Sequence, residues 1–138
     1  MSEILIHLEE NFATEIYSSS GALECRTDAP KENGGIGVSL SPTDLFAASL
    51  GSCILTILSL FAKKAKVELF DVKAKVIKTP SSSGGGIGEI QVDVYIEAAL
   101  ENSVKEKLEY AARHCPVHQL ISDKVKQSIN FHYNQTLK

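Results

Sequence analysis

Short stretches in which apolar and polar residues alternate open the chain. They cover residues 3–9 and 13–18, and a third stretch, 22–26, follows a Ser/Gly turn. Alternation with a period of two places successive side chains on opposite faces of a strand, so we predict three short antiparallel strands. Residues 27–40 show no periodicity and carry Pro30 and three glycines. We expect a long loop there, of the kind that often has a function in a compact domain.

The most apolar stretch of the chain predicts a long helix that runs to about Lys66. Ser41 can cap its start, Pro42 suits the first helical position, and Asp44 lies where a capping-box acid would sit. The helix body is apolar on nearly every face, and lysines occupy the last turn. Because Ser, Thr and Gly interrupt the stretch, it would span a membrane poorly, and we expect a central, buried helix.

The second half of the chain predicts a hairpin, two helices and a last strand. Residues 67–78 and 87–98 alternate on either side of a Pro/Ser/Gly turn. An amphipathic helix over 103–113 must end before Pro116, where a short helix can start, and 125–133 forms the final strand. Strands and helices are segregated rather than alternating. The order therefore predicts an α+β fold with an antiparallel sheet around the long buried helix.

Length and charge narrow the possible functions. A chain of 138 residues, 43% of them hydrophobic, suits one domain over 1–138 that needs neither a metal nor disulfides to hold its fold. A net charge of -3 offers no basic surface for nucleic acid. The N-terminus lacks the basic start and apolar run of a secretory signal, so we expect a soluble cytoplasmic protein without a membrane partner.

The three cysteines are the candidates for chemistry. Cys53 lies too deep in the predicted helix for the dipole at the helix start to acidify it, so its local sequence favours a core thiol. Cys115 directly precedes Pro116 at a helix start, where backbone N–H groups favour a thiolate, but simple packing explains it equally well. Cys25 alternates with Leu23 on a strand, so we expect both on one core-facing side and give Cys25 a structural role.

Two motifs resemble the OsmC/Ohr family. Residues 41–53, Ser-Pro-Thr-Asp-Leu-Phe-Ala-Ala-Ser-Leu-Gly-Ser-Cys, are similar to that family's helix motif, in which a proline opens a long helix that carries a reactive cysteine. Residues 114–117, His-Cys-Pro-Val, resemble the motif of its second reactive cysteine. The motifs come in the family's order, and the predicted elements match over nearly the whole chain. The resemblance implies an OsmC-like fold and an intertwined homodimer with active sites at the dimer interface.

The resemblance also implies a cysteine peroxidase that needs no cofactor. Cys53 would attack an organic hydroperoxide and become a sulfenic acid, and Cys115 would condense with it to a disulfide. A dithiol, such as a lipoylated protein, would then reduce the disulfide. Phe46, Leu50 and Ile57 share the Cys53 face of an ideal helix and would form an apolar pocket for the substrate, although an ordinary core shows the same spacing.

One position departs from the family pattern. Family peroxidases carry a glutamate after the helix-opening proline, where it holds a catalytic arginine, but this chain has Thr43 there. Asp44 falls opposite Cys53 on an ideal helix, so we interpret it as a cap. Of the two arginines, we prefer Arg26 over Arg113 as the group that would stabilise the thiolate and orient the peroxide. A solvent-exposed strand-end arginine is the alternative.

Two other hypotheses remain. Cys115 and His118 have the spacing of metal ligands, His114 adjoins them, and Cys53 could complete a tetrahedral set. Such a pair occurs often by chance, so we assign no metal ligand. The missing family glutamate also fits a non-catalytic or weakly active protein that binds a small apolar ligand between its subunits.

Overall fold

The computed structural model describes residues 1–137, which divide into two compact units. The first unit comprises residues 1–46 and the second begins at residue 47. The boundary lies within a helix, α1, that spans Pro42–Ala65.

The first unit contains a three-stranded antiparallel sheet in the order β1-β2-β3. The strands are β1 (Ile4–Leu8), β2 (Ala13–Ser18) and β3 (Leu23–Asp28), which confirms the three predicted strands. Every residue of β1 is exposed, including its four large apolar side chains. The sheet therefore offers an uncovered apolar edge strand to solvent.

The prediction that Leu23 and Cys25 share a core-facing side is wrong. Cys25 pairs with Ile16, but the next residue of β2, Tyr17, pairs with Leu23 rather than Glu24. Cross-strand partners point to the same face and consecutive residues to opposite faces, so this bulge places Leu23 and Cys25 on opposite sides of the sheet. Leu23 is 54% exposed and Cys25 is half-buried.

The loop that follows β3 is held by the last residue of the strand. Asp28 is buried, its backbone N–H donates to the carbonyl of Leu40, and its Oδ2 accepts from the N–H of Val38 at 3.0 Å. The Val38 hydrogen bond holds the pKa of Asp28 below its ordinary value, although burial opposes it. Because β3 extends to Asp28, the loop starts two residues later than the sequence predicted.

Helix α1 begins with the predicted capping box. The N–H of Ser41 donates to Asp44 Oδ2 at 2.9 Å, and the N–H of Asp44 donates to Ser41 Oγ at 3.1 Å. At the other end Lys66 adopts a left-handed conformation with φ of 55°, and the N–H of Val67 donates to the carbonyl of Ala62. By length and composition α1 could cross a membrane, but core helices of soluble proteins meet the same criteria.

Within the second unit, α1 buries one stripe of its surface. The stripe packs into a core with alternate residues of the strand Ile87–Glu97 and with the helix Asn102–Ala112. Leu60 is 52% exposed, and Ser52, Thr56 and Ser59 are exposed beside it. Burial is therefore confined to one side of the helix in the single chain, whereas the sequence predicted burial nearly all round. The buried residues of the stripe are Ala47, Leu50, Gly51, Ile54, Leu58 and Ala62.

The second sheet contains β4 (Phe70–Pro80), β5 (Ile87–Glu97) and β6 (Lys126–Tyr133) in the order β4-β5-β6. The predicted β4–β5 hairpin is confirmed, but β6 runs parallel to β5. Two helices, α2 (Asn102–Ala112) and α3 (Pro116–Leu120), lie in the connection from β5 to β6. A crossover of this length returns the chain to the same end of the sheet, so the sheet is mixed rather than wholly antiparallel.

Candidate active site

Cys115 caps the N-terminus of α3. Its backbone is extended, Pro116 follows at the first helical position, and the N–H of His118 donates to Cys115 Sγ at 3.3 Å. The residue is completely buried and belongs to the core of the second unit. The predicted helix start is thus present, and it directs one backbone N–H at the sulfur.

Burial raises the pKa of the Cys115 thiol above its ordinary value. The N–H of His118 lowers this pKa, and the contact with Cys53 raises it further. The expectation that a helix start would favour the thiolate here is therefore wrong. Desolvation of the charged form outweighs the N–H groups of His118 and Val117, which both lower the pKa, since α3 has only five residues and provides little dipole.

Cys53 comes from the middle of α1 and meets Cys115 in the second unit. Its side chain is half-buried, packs against the core, and lies close enough to the Cys115 thiol to raise the pKa of that thiol. The two thiols are 62 positions apart in sequence and both are unpaired. The fold therefore brings together the two cysteines that the sequence singled out.

The charged side chains next to Cys115 are engaged elsewhere. His114 Nδ1 bonds to the carbonyl of Tyr110 at 2.7 Å, and the two rings stack at 4.0 Å. The Arg113 guanidinium lies 5.2 Å from the centre of the Phe131 ring. Neither contact directs a positive charge at Cys115.

Gln127 is a site residue that the sequence analysis missed. It lies on β6, and its amide bonds to both the ring and the backbone carbonyl of His118, the residue whose N–H reaches Cys115. In the sequence, Gln127 stands out only as a polar residue at a position where the alternation of the strand places apolar residues. Val125, Ile129 and Phe131 alternate around it, so a partly buried amide at that position needs hydrogen-bond partners.

The remaining predicted site residues occupy different environments. Leu50 is completely buried and fills the core, Ile57 is half-buried against it, and Phe46 is 45% exposed. Arg26 is an exposed residue of β3 in the first unit, paired across the sheet with Glu15. The substrate-binding role of Leu50, Ile57 and Phe46 and the catalytic role of Arg26 stay predictions.

The part of the chain that the structure describes contains no cluster of side chains that could hold a metal ion. Among residues 1–137, no three His, Cys, Asp or Glu side chains lie close enough together to hold an ion. His118 directs its Nδ1 at Gln127. The chemistry available at this site is that of two adjacent thiols.

A family model described as OsmC-like protein matches residues 33–130. The chain belongs to the OsmC-like protein family. An uncharacterized protein of Acinetobacter baylyi is 29% identical to this OsmC-like protein over 102 residues, which is 72% of this chain and 71% of the relative. Family membership suggests a role in hydroperoxide resistance or redox chemistry, because OsmC/Ohr proteins are linked to peroxide detoxification.

Solved structures share the fold of this OsmC-like protein over nearly its whole length. A protein of Psychrobacter arcticus, whose name refers to osmotic stress and a detoxification response, has a TM-score of 0.88 and 27% identity, with 96% of each chain covered. An organic hydroperoxide resistance protein of Legionella pneumophila has a TM-score of 0.69 and 23% identity, again with 96% of each chain covered. The similarity to the Legionella pneumophila protein, at this identity, shows a shared fold alone.

Proposed function

We propose that this OsmC-like protein reduces organic hydroperoxides with Cys53 as the peroxidatic thiol and Cys115 as the resolving thiol. The observation that supports the proposal best is the contact between a half-buried Cys53 and a completely buried Cys115. Two thiols this close can be oxidised to a disulfide without a large movement of the chain.

The cycle consumes one hydroperoxide and two electrons from a dithiol. The Cys53 thiolate attacks the outer peroxide oxygen, the O–O bond breaks, and the departing alkoxide takes a proton and leaves as an alcohol. Cys53 is then a sulfenic acid. The Cys115 thiolate attacks that sulfur, the S–O bond breaks, and the hydroxyl group leaves with a proton as water. A dithiol then reduces the disulfide and is itself oxidised to a disulfide.

Burial supports this division of roles. A peroxide in solvent can approach Cys53, which is half-buried, more easily than Cys115, which is completely shielded. Burial and the neighbouring Cys53 both raise the pKa of Cys115, so Cys115 holds its proton more tightly than an exposed thiol does.

Several features of the assembled enzyme belong to the same proposal. Exposed apolar residues along β1 support a homodimer, since a single chain leaves them in water. Within that dimer, Arg26 would stabilise the Cys53 thiolate, and Phe46 and Ile57 would contact an apolar peroxide. The reductant would be a dithiol, such as a lipoylated protein. A cytoplasmic location fits the cycle because a reducing compartment restores the thiols.

The test is to oxidise the reduced protein with one equivalent of cumene hydroperoxide and to map its peptides by mass spectrometry. We expect one disulfide, between Cys53 and Cys115, and one equivalent of cumyl alcohol. Cys25 serves as the internal control and should stay reduced. The proposal fails if both site thiols remain reduced, or if Cys25 reacts instead.

A second candidate function is the binding of a small apolar ligand. A cavity of about 440 Å³ in the second unit is lined by Leu55, Leu58 and other apolar residues together with Ser59 and Lys63. Cavities of this volume accommodate small molecules. If cumene hydroperoxide leaves the thiols reduced but non-reactive cumene still raises the melting temperature, the binding function replaces the catalytic one.

A further inference from the structure

Gln127 occupies a position on β6 where the alternation calls for an apolar side chain. Val125, just before the strand, and Ile129 and Phe131, on the same side of it, pack in or against the core. Gln127 is only half-buried, but a side-chain amide in such surroundings must be hydrogen-bonded to avoid a large desolvation cost. Both ends of this amide find a partner in one residue, His118.

The two hydrogen bonds fix the orientation of the amide and the tautomer of the ring. Gln127 Nε2 donates to the carbonyl of His118 at 3.1 Å, and Gln127 Oε1 lies 2.5 Å from His118 Nδ1. A carbonyl can only accept, so the amide nitrogen must face it and the amide oxygen must face the ring. The Nδ1 atom therefore carries a hydrogen. A further proton on the imidazole would bind at Nε2 and leave this arrangement intact.

The carbonyl that Gln127 binds belongs to the last turn of α3. Helix α3 ends at Leu120, so its final carbonyls have few helical N–H partners. Gln127 supplies such a donor from a neighbouring strand, and the same residue holds the imidazole. His118 is thus restrained at its backbone and at its side chain.

The restrained residue is the one that contacts the resolving sulfur. The N–H of His118 donates to Cys115 Sγ at 3.3 Å. We propose that Gln127 is a positioning residue for the resolving thiol, because it holds His118 with its N–H directed at Cys115 Sγ. The inference rests on the proposed function for its catalytic consequence. The orientation of the N–H can also be tested without turnover.

The hydrogen bond matters most when Cys115 carries negative charge. This occurs when Cys115 attacks the sulfenic acid of Cys53, and again if Cys115 is the leaving group during reduction of the disulfide. In both steps the S–H proton is absent and the N–H of His118 stabilises the thiolate. Loss of Gln127 should slow these steps, while the attack of Cys53 on the peroxide is left unchanged.

The first measurement follows alkylation of Cys115 by iodoacetamide against pH in a Cys53→Ser background. Gln127→Leu removes both hydrogen bonds at similar volume, and we expect the midpoint to move upward by about one pH unit, which is tenfold less thiolate. Gln127→Glu keeps an acceptor for Nδ1 but directs a carboxylate oxygen at the carbonyl, and its negative charge also disfavours a thiolate, so we expect an upward shift here too. It also provides a readout if the leucine variant fails to fold.

The second measurement is the lifetime of the sulfenic acid in the chain with all its cysteines. After one equivalent of cumene hydroperoxide, Gln127→Leu should consume the peroxide at the original rate but lose its dimedone-reactive sulfenic acid about tenfold more slowly. The matched control is Gln119→Leu. The Gln119 side chain donates to the carbonyl of His114, away from Cys115 Sγ, and its replacement should change neither quantity.

The results separate this inference from the proposed function. An unchanged alkylation midpoint in Gln127→Leu would overturn the positioning role, and so would an equal shift in Gln119→Leu, since general loosening of α3 would then explain both. If the unmodified protein forms no disulfide, the proposed function fails. The shift in the Cys53→Ser background would still establish that Gln127 positions the donor to Cys115.

Discussion

The Cys53 thiol lies close enough to Cys115 to raise the pKa of the Cys115 thiol, yet Cys53 is half-buried and Cys115 is completely shielded from solvent. The proximity makes a disulfide accessible to the pair, and the difference in burial makes the two thiols chemically unequal. Each consequence can be measured with reagents that reach cysteines from solution.

The burial of Cys115 predicts an order of alkylation in the folded protein. Iodoacetamide should modify Cys53 before Cys115, because thiolates react and burial raises the pKa of Cys115. Modification of Cys115 should become appreciable only above its ordinary pKa of 9.0. Peptide mapping at several pH values measures this order, and urea-unfolded protein is the control in which the two thiols should react alike. Faster modification of Cys115 than of Cys53 at pH 7 would contradict the structure.

The raised pKa of Cys115 also sets the sign of its effect on stability. The folded state holds the proton more tightly than the unfolded state does. The stabilisation is therefore fully present below the unfolded pKa and is lost as the pH rises through the higher folded pKa. A Cys115→Ala variant should accordingly lose less of its stability than the unmodified protein between pH 8 and pH 10.

Replacement of each thiol by a hydroxyl should separate the two roles in the proposed cycle. Cys53→Ser removes the nucleophile and should abolish peroxide consumption. Cys115→Ser should still reduce one equivalent, after which its sulfenic acid persists and is oxidised further. Dimedone labelling followed by intact mass measurement distinguishes the products, and Cys25→Ser is the control that should retain turnover. The role assignment is wrong if both site variants lose the first equivalent.

Features that depend only on residues close together in sequence could be predicted from the sequence. Ser41 and Asp44 form the predicted capping box because the motif is closed within one turn of helix. The same holds for Cys115, which lies at the predicted start of α3. Its titration could not be deduced in this way, because burial is supplied by distant residues of the core.

Features that depend on the pairing of strands could not be predicted from the pattern of neighbouring residues. One bulged residue, Glu24, reverses the face of Leu23 relative to Cys25, and a period of two cannot reveal an inserted residue. The parallel direction of β6 follows from the path of the chain through α2 and α3. Gln127 is identified only when β6 brings it to His118, so the sequence marks the position as unusual and leaves its partner unspecified.

Gly51 allows α1 to approach β4 closely. A Cβ atom built at this residue would lie 2.7 Å from Val76 Cγ2, and valine has little freedom to move aside. Alanine normally stabilises a helix by about 1 kcal/mol relative to glycine. Overpacking typically costs about 1–3 kcal/mol, so we expect Gly51→Ala to lower the free energy of unfolding by up to about 2 kcal/mol.

Urea unfolding followed by circular dichroism measures this change. The matched control is the double variant Gly51→Ala with Val76→Ala, in which the space vacated by valine accepts the new methyl group. The double variant should lose less stability than the sum of the two single variants. A Gly51→Ala protein that is more stable than the original chain would show that helix propensity outweighs the contact.

Asp93 is a buried carboxylate on β5 that accepts three hydrogen bonds. Burial raises its pKa, but Asn130, Gln91 and His132 donate to it at 2.9, 2.7 and 3.3 Å, and the net effect lowers the pKa below its ordinary value. A lowered folded pKa means that the stabilisation is present above the unfolded value of 3.8. It is lost as the pH falls through the still lower folded value.

Asp93→Asn keeps the shape but directs an N–H₂ group at donors that need an acceptor. We expect a loss of about 1–3 kcal/mol in the free energy of unfolding at pH 7, and this loss should shrink as the pH falls below 3.8, where the native carboxylate is also neutralised. Urea titrations at pH 7, 5 and 3 measure the difference. The control is Asp123→Asn at an exposed turn residue, which should remain close to the original chain throughout. A loss for Asp93→Asn that is the same at all three pH values would mean that packing, rather than charge, explains the effect.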